Sequence, residues 1–344
     1  MRSLKEWIHL LFKNNKIPET VLFRVDAGRT HGLSFGHVSR CLVLARVLQS
    51  EYGSEIMFLM RNFPEGINHV TRNGYRVQKL SVPPDREERE SIMDAINEYQ
   101  PDMLIIDVPY KDIDTSYYGI LRERGINMVF IDDSRFIHPD VDVLLNSSIL
   151  ASQRMQKINK GKHVNTRYLL GIDYFIFDEY LKKEDMVRGQ NETYNILVTF
   201  GGSDPTSLTM KVLKTLLEED LPGYAFSIIL GPGYPDTNKI ETLIGGSRNR
   251  FTVIINPENL IPLLQHCDLA ICAGGRTMYE LLYFNKKFFP VASAEHESEV
   301  VEEFIRLGII KDGLTSWDPK TFISGFKYLT KQVFDNVNEN SINR

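Results

Sequence analysis

The chain has 344 residues, a formal net charge of −5, three cysteines, and hydrophobic and charged fractions of 42% and 25%. These values are typical of a globular protein of about two domains, and they exclude a protein whose main feature is a basic nucleic-acid-binding surface. Because three cysteines without C-x-x-C spacing cannot form a disulfide framework, and neither a signal-peptide h-region nor a run of about 18 apolar residues occurs, we expect a cytoplasmic protein.

Residues 1–20 predict an amphipathic N-terminal helix that begins with a capping box of Ser3 and Glu6. Its apolar side chains, which follow helical spacing, are Leu4, Trp7, Ile8, Leu11 and Phe12. An apolar stripe of this kind most often packs against its own domain or a second subunit. Because lysines flank the stripe, it also suits a peripheral contact with a membrane surface. A membrane or homodimer contact of this helix therefore stays open beside packing within its own domain.

Short apolar runs alternate with helical patterns from Val21 almost to the end of the chain. Their Val, Ile, Leu and Phe residues do not alternate strictly with polar ones, as expected for strands buried on both faces of a parallel sheet. The first series is VLFRVD, EIMFLM, RVQKL, MLIID, MVFIDD and VDVLLN, and the second is NILVTFGG, FSIIL, FTVII, LAICAGG and KKFFPVA. The polar stretch 147–168 lies between the two series and lacks a clear period. We therefore predict an α/β protein with two doubly wound units, residues 21–150 and 151–344, joined by a linker region.

The first predicted strand leads into a loop that places His37 at the start of the next helix. Its Gly28, Gly32 and Gly36 match neither the G-x-G-x-x-G fingerprint of a dinucleotide site nor a Walker motif. In the first turn of a helix the dipole disfavours an imidazolium ion, so His37 is expected to stay neutral and to suit a general base. A histidine that hydrogen-bonds to the backbone and only holds the turn is an equally good interpretation.

A glycine loop follows the first strand of the second series. In TFGGSDPTS the strand ends at Gly201 and Gly202, and Ser203 and Asp204 precede Pro205. Proline fits the first turn of a helix, and backbone N–H groups of such a loop can surround a phosphate or a sugar hydroxyl. We therefore predict that these residues bind substrate. A glycine turn in which Asp204 caps the helix is the alternative.

A second glycine loop occurs in CAGGRTMYELLYF, where a strand stops at Gly274 and Gly275. Arg276 and Thr277 begin the next helix, and their exposed amides together with the guanidinium would suit a diphosphate. Glu280, one turn further along, can accept two hydrogen bonds from a ribose diol. A solvated helix position is the alternative for Glu280, although two leucines follow it directly.

Acidic residues also end predicted strands, at Asp107 and at the pair Asp132 and Asp133. No cluster at metal-ligand spacing accompanies them, so we expect no metal and favour turn capping or sugar-hydroxyl binding. In AEHESE, His296 begins a further helix, where it either contacts a ligand or caps the helix.

Several motifs occur together in this chain. Arg24-Val25-Asp26 is followed by SFGHVSRCLVLA, and then by IDD, LLN, GGSDP and AGG with Glu280 downstream. In this combination the chain resembles the GT-B nucleotide-sugar enzymes. The closer resemblance is to the family of UDP-2,4-diacetamido-2,4,6-trideoxy-β-L-altropyranose hydrolase, which acts in pseudaminic acid biosynthesis. It extends from about Val21 to the end of the second unit.

The resemblance implies two Rossmann-like domains facing across a cleft. It also implies inverting, metal-independent hydrolysis of a UDP-linked deoxy amino sugar, without a cofactor. His37 would activate or orient a water, Gly36 and Asp26 would shape its pocket, and Arg24 and Arg40 would support the loop or the sugar. The second domain would hold UDP through its two glycine loops. The partner implied is thus a nucleotide sugar and not a nucleic acid.

The chain departs from the family pattern at several places: the loop before His37 is longer, with Arg29, Thr30 and His31 inserted, and Tyr279 precedes Glu280. Ser34 replaces the first glycine of Gly-x-Gly-His, and AEHESE replaces an Asn-Gln pair that meets the sugar. The sugar therefore stays open. A glycosyltransferase, in which the same base deprotonates an acceptor hydroxyl, is the alternative function. A protein that senses a nucleotide sugar without turnover is a third.

Overall fold

The computed structural model describes residues 2–28, 35–80, 88–108, 115–132, 140–158, 165–177, 193–231, 233–247, 250–257 and 259–342. Contacts divide the chain into two units, Met1–Glu179 and Tyr180–Arg344. Each unit is a parallel sheet with helices in the connections, so the predicted two-domain α/β fold is confirmed. Among the described helices, none is both long enough and apolar enough to cross a bilayer.

The first unit contains a parallel sheet of seven strands. In chain order its elements are α1 (Leu4–Trp7), β1 (Thr20–Val25), α2 (Phe35–Tyr52), β2 (Glu55–Arg61), α3 (Pro64–Arg72), β3 (Arg76–Leu80), α4 (Glu88–Tyr99), β4 (Met103–Asp107), α5 (Tyr118–Glu123), β5 (Asn127–Ile131), β6 (Val143–Asn146), α6 (Ala151–Ile158) and β7 (Arg167–Leu170). The strand order is β3-β2-β1-β4-β5-β6-β7. The direction of the strand order therefore reverses between β1 and β4, where Val25 pairs with Asp107. In open α/β sheets, ligands bind at the carboxyl ends of the strands at such a switch point.

Both faces of this sheet are covered, which explains why its inner strands are mostly apolar. Phe23 and Phe58 stack at 4.9 Å between ring centroids on one face. Leu22 and Leu104 lie in the apolar cluster on the other face. All four side chains are fully buried, and each such burial contributes about 1.5–3 kcal/mol of transfer free energy.

The N-terminal segment packs on the first unit. Its five apolar side chains are all buried in the same cluster as β1 and α2. Asn127 Nδ2 donates to the Leu11 carbonyl at 2.7 Å, and the Ser3 N–H donates to Glu6 Oε2 at 2.8 Å. These apolar side chains are therefore not available to a membrane or a second subunit. The helix is also shorter than predicted, because 3₁₀ turns follow α1 and Asn14 adopts a left-handed φ of 52°.

The predicted boundary at residue 150 was too early. The stretch interpreted as a linker contains α6 and β7, and β7 pairs with β6 in the first sheet. The first unit therefore extends to Glu179. The four-residue β7 gave a weak signal because it is an edge strand with one fully buried side chain, Leu169.

The second unit contains a parallel sheet of five strands. Its elements are β8 (Tyr194–Thr199), α7 (Leu208–Leu217), β9 (Tyr224–Leu230), α8 (Thr237–Ile244), β10 (Phe251–Ile255), α9 (Ile261–His266), β11 (Leu269–Ala273), α10 (Arg276–Tyr283), β12 (Lys287–Val291), α11 (Glu295–Arg306) and α12 (Pro319–Ile342). The strand order is β10-β9-β8-β11-β12. Its switch point lies between β8 and β11, where Thr199 pairs with Cys272. The two glycine loops leave these neighbouring strands, so both start at the switch point.

Candidate functional site

His37 and Asp107 meet at the switch point of the first sheet. β1 leads into α2, which carries His37 in its first turn, and the neighbouring strand β4 ends at Asp107. The imidazole Nδ1 lies 2.6 Å from Asp107 Oδ1, and both side chains are buried. His37 is therefore bonded to a carboxylate, not only to the backbone.

The protonation of Asp107 decides which atom of this pair carries the shared proton. Burial on its own raises the pKa of this carboxyl, but the charge of Arg40 and the hydrogen bonds of Arg40 and His37 hold its pKa well below the ordinary value. Asp107 is therefore a carboxylate at neutral pH and accepts the hydrogen bond from Nδ1–H. In that tautomer Nε2 carries the lone pair, and Asp107 stabilises the imidazolium that forms when Nε2 takes a proton. The pair has the chemistry of a general base.

Arg40 and Cys41 contact the same carboxylate from the next turn of α2. Arg40 donates from Nε to Oδ2 and from Nη2 to Oδ1 of Asp107, both at 2.5 Å. Cys41 Sγ lies 3.5 Å from Oδ2. Burial, together with the charge of Asp107, raises the pKa of the Cys41 thiol well above its ordinary value, so Cys41 is a neutral donor and not a nucleophile.

A second charged cluster lies at the ends of β1 and β2. Arg24 Nη2 donates to Glu88 Oε1 at 2.8 Å, while Arg61 donates to Glu88 Oε2 from Nε at 2.9 Å and from Nη2 at 2.7 Å. Burial raises the pKa of Glu88, but the two arginines outweigh that effect and lower it. Glu88 thus connects the first turn of α4 to both strands.

Asp26 belongs to this cluster and is fully buried. Its Oδ1 accepts the Arg61 backbone N–H at 2.8 Å and lies 2.8 Å from Arg24 Nη1. Its Oδ2 makes no hydrogen bond within the described part of the chain. The structure therefore places Asp26 against arginines. Gly36, the residue before His37, is partly exposed in the first turn of α2, and Ser34 lies outside the described residues.

The first glycine loop is packed against the loop that follows β9. A Cβ on Gly231 would lie 2.5 Å from Gly202 Cα, and the Gly233 N–H donates to the Gly202 carbonyl at 2.8 Å. Gly201 adopts a left-handed φ of 76°, and Gly201, Gly202 and Ser203 are exposed. Glycine at 231 is therefore explained by the close approach of two loops, and the exposed backbone of 201–203 remains accessible to a ligand.

Asp204 caps α7, which is the alternative that the sequence left open. Its Oδ1 and Oδ2 accept the backbone N–H groups of Leu208 and Thr209, both at 2.8 Å. The prediction that Pro205 lies in the first helical turn was wrong. Asp204 and Ser207 adopt left-handed φ values of 42° and 55°, so the helix begins only at Leu208. These two N–H groups are already used by Asp204, which argues against a phosphate on them.

The second glycine loop lies under Glu297, the third residue of α11. A Cβ on Gly274 would lie 2.8 Å from Glu297 Cβ, and one on Gly275 would lie 3.2 Å from Glu297 Oε1. Glu297 Oε2 accepts both the N–H and the Oγ–H of Ser293 at 2.7 Å. A carboxylate therefore stands beside the helix N-terminus where the sequence predicts a diphosphate.

The remaining predicted residues of this unit occupy α10 and α11. Arg276 Nε donates to Glu280 Oε1 at 2.9 Å, one turn apart on α10, and both side chains are partly buried. Thr277 is partly exposed between them, and His296 is exposed at the start of α11. Arg276 and Glu280 therefore offer a ligand an ion pair, not a single positive charge.

The strand-end acid Asp132 bonds to its neighbour strand. Asn146 Nδ2 donates to Asp132 Oδ2 at 2.9 Å, and Asn146 Oδ1 accepts the N–H of Ser148. Asp133 lies outside the described residues. Over the described ranges, no group of three or more His, Cys, Asp or Glu side chains is arranged to hold a metal ion.

The structure brings His37, Asp107 and Arg40 together, although the sequence analysis had named them for separate roles. It adds Glu88 and Glu297, which sequence reasoning missed as site residues. The available signal was position, because Glu88 begins α4 and Glu297 lies in the first turn of α11.

Comparison with known proteins finds distant relatives, and no family model matches the chain. The uncharacterized protein MJ1062 of Methanocaldococcus jannaschii is 28% identical over 281 residues, which are 80% of this chain and 56% of that protein. The spore coat polysaccharide biosynthesis protein SpsG of Bacillus subtilis is 24% identical over 290 residues, 83% of this chain and 81% of SpsG. A Helicobacter pylori protein described as pseudaminic acid cytidylyltransferase and UDP-2,4-diacetamido-2,4,6-trideoxy-beta-L-altropyranose hydrolase is 23% identical over 197 residues, 56% of this chain and 35% of that protein. The chain thus spans about half the length of the M. jannaschii relative.

Solved structures share the fold. MurG of Acinetobacter baumannii superposes with a TM-score of 0.61 at 14% identity, covering 91% of this chain and 92% of MurG. A glycosyltransferase of Rickettsia africae gives 0.61 at 12% identity, covering 90% and 87%. Anabaena Alr3699/HepE in complex with UDP gives 0.57 at 14% identity, covering 91% of each chain. The chain therefore has the two-domain α/β fold of the GT-B glycosyltransferases, and its distant homologues include SpsG and the H. pylori protein that carries the UDP-sugar hydrolase.

Proposed function

We propose that this protein is a nucleotide-sugar enzyme that hydrolyses a UDP-linked deoxy amino sugar, with His37 as general base. The names of its homologues suggest a nucleotide-sugar enzyme of pseudaminic acid or polysaccharide biosynthesis. One of the fold neighbours, Anabaena Alr3699/HepE, has been solved both with UDP and with UDP-glucose. Hydrolysis, UDP and the sugar class are our proposals for this chain.

The observation that carries the proposal is the pair of His37 and Asp107 at the switch point of the first sheet. Asp107 is an ionised carboxylate 2.6 Å from Nδ1, so it fixes the ring and leaves the lone pair on Nε2. A neutral imidazole that is oriented by a carboxylate is the arrangement of a histidine general base.

The proposed step is an inverting displacement at the anomeric carbon. Nε2 of His37 takes a proton from a water molecule, and the water oxygen forms a bond to the anomeric carbon on the face opposite the phosphate. The bond between that carbon and the β-phosphate oxygen breaks, and UDP leaves with the bonding electron pair. Asp107 stabilises the imidazolium that results.

The step as proposed uses neither a metal nor a cofactor. The carboxylates Asp26, Glu88 and Asp107 of the first unit are each paired with arginines, so their charges are already compensated. In the second unit, we propose that the exposed backbone of 201–203 and residues of α10 hold UDP. Glu280 would accept hydrogen bonds from the ribose hydroxyls.

The test is UDP release from a panel of UDP-linked acetamido and diacetamido sugars, with no acceptor present. We expect the native chain to release UDP and His37→Ala to do so about 10²–10⁴-fold more slowly, which is the usual contribution of general-base catalysis. His9→Ala is the matched control, because His9 is exposed in the N-terminal segment. Equal rates for native chain and His37→Ala would contradict the role of His37.

A glycosyltransferase is the second candidate, favoured by the fold, since its structural neighbours are glycosyltransferases. In that case His37 would deprotonate an acceptor hydroxyl instead of water. Tight binding of the UDP-sugar without UDP release would favour this function over hydrolysis. UDP release that appears only after an acceptor is added would establish it.

A further inference from the structure

Arg40 shares the carboxylate that His37 uses. Its Nε and Nη2 both donate to Asp107 at 2.5 Å, in a two-point contact with the carboxylate. Arg40 Nη2 also lies 3.0 Å from His37 Nδ1. Since both of these nitrogens carry protons toward Asp107 Oδ1, they are neighbouring donors and not partners of each other.

The charges of the three side chains His37, Arg40 and Asp107 balance only while the imidazole is neutral. The side chains of His37, Arg40 and Asp107 are 10%, 12% and 0% exposed, so the cluster is largely withdrawn from water. Cys41, which contacts Asp107 from the same helix, is an uncharged thiol. With a neutral His37 the charges of Arg40 and Asp107 sum to zero, whereas an imidazolium leaves a net positive charge in a buried place, which is costly.

Without the Arg40 guanidinium, the charge balance favours a protonated imidazole instead of a neutral one. His37 and Asp107 alone would carry a net negative charge with a neutral ring and none with a protonated ring. A buried pair without Arg40 would therefore draw a proton onto His37. A protonated His37 has no lone pair on Nε2 and cannot accept a proton from water.

We propose that Arg40 is a positioning residue, which fixes Asp107 and keeps His37 in the neutral, proton-accepting form. This assignment rests on the proposed function, because it concerns the same base. It adds a role to the contact with the loop or the sugar that the family resemblance implies, since Arg40 Nε and Nη2 are both bound to Asp107.

The experiment is NMR titration of the full chain labelled with ¹⁵N-histidine, with the His37 signals assigned by comparison with His37→Gln. We expect native His37 to show the nitrogen shifts of a neutral ring at pH 7. In Arg40→Gln, which removes the charge, we expect the titration midpoint of His37 to move up by about 1 pH unit or more. Arg40→Lys keeps the charge and should restore most of the native midpoint. Arg76→Gln, an exposed arginine of β3 in the same unit, should leave it unchanged.

Either of two results overturns the proposal: a doubly protonated native His37 at pH 7, or an unmoved or lowered midpoint in folded Arg40→Gln. The protonation state of native His37 is measured without any substitution, so a doubly protonated ring overturns the proposal even if Arg40→Gln does not fold. The titration needs no turnover, so it separates this inference from the proposed hydrolysis. If the native chain releases UDP, its kcat/KM falls at low pH as His37 is protonated. The pH of this fall should move up in Arg40→Gln together with the NMR midpoint.

Discussion

A single carboxylate, that of Glu297, sets the charge at the glycine loop after β11. Ser293 fixes its Oε2, and its Oε1 stands beside Gly275, where α10 begins. A helix N-terminus attracts anions, but here the Glu297 carboxylate already lies next to it. A ligand diphosphate that approaches this loop therefore meets repulsion from Glu297.

We predict that Glu297→Gln strengthens UDP binding by about two- to fivefold, because a charge near a helix terminus is worth roughly 0.3–1 kcal/mol. The amide oxygen of glutamine can still accept the hydrogen bonds of Ser293, so the loop keeps its support. Isothermal titration calorimetry with UDP measures the effect, and Glu302→Gln on the exposed side of α11 is the control. Weaker binding in Glu297→Gln would instead make Glu297 an acceptor for ligand hydroxyls.

The sequence predicts single site residues better than it predicts their partners. His37 is recognisable because it begins the helix that follows the first predicted strand, and Asp107 because it ends a predicted strand. Their contact spans 70 residues and depends on β1 lying next to β4, which the order of strands along the chain does not specify. Glu88 contacts Arg24 across 64 residues, and no local motif marks it.

At the scale of elements, α7 illustrates how one side chain sets a helix boundary. Asp204 accepts two backbone N–H groups of the first turn, while the left-handed residue Ser207 prevents an earlier start. The helix that follows the second glycine loop is not capped by a side chain at its N-cap position. The two loops of the switch point thus end in helices with different N-termini.

We predict that Asp204→Ala lowers the free energy of unfolding of the second unit by about 1–2 kcal/mol, the usual cost of losing an N-terminal cap. Asp204→Asn should retain most of it, because the amide oxygen accepts one N–H group and asparagine tolerates a left-handed φ. Urea denaturation followed by Trp317 fluorescence, in a Trp7→Phe background, measures this. Asp220→Ala, an exposed aspartate just after α7, is the control, and an equal loss there would refute the capping role.

Strands are predictable here because both faces of each sheet are covered. Continuous apolar runs such as MLIID and MVFIDD are typical of strands buried on both faces of a parallel sheet. The edge strand β7 was not predicted, because RYLL has only one fully buried side chain, Leu169. The predicted boundary between the units was therefore placed too early, because the polar residues before β7 resemble a linker.

At the scale of the whole molecule, the two units differ in how their carboxyl groups are held. Burial raises the pKa values of Asp107, Glu88 and Asp102 in the first unit, but their hydrogen bonds and charged neighbours outweigh it and lower all three. In the second unit, hydrogen bonds from Thr321 lower the pKa of Asp318, and this carboxyl is exposed. The first unit therefore depends more on carboxylates whose pKa is lowered in the folded state.

We predict that acid unfolds the first unit before the second. A carboxyl whose pKa is lower in the folded state contributes stability above its unfolded pKa of about 4, and this contribution is lost as the pH falls below that value. The two tryptophans lie in different units, so Trp317→Phe reports on the first unit through Trp7 and Trp7→Phe on the second through Trp317. Simultaneous transitions, or an earlier one for Trp317, would contradict the prediction.

The N-terminal segment has a consequence for how this chain is made. Leu11 accepts a hydrogen bond from Asn127, and Leu10 accepts one from Arg167, which are 116 and 157 residues later in the chain. During synthesis, the apolar side chains around Trp7 leave the ribosome long before these partners exist. The segment closes a loop that spans almost the whole first unit, and such long-range closure is slow. Because it is translated before these partners, the segment is among the last parts of the first unit to reach its native place, and until then it exposes apolar surface that chaperones recognise.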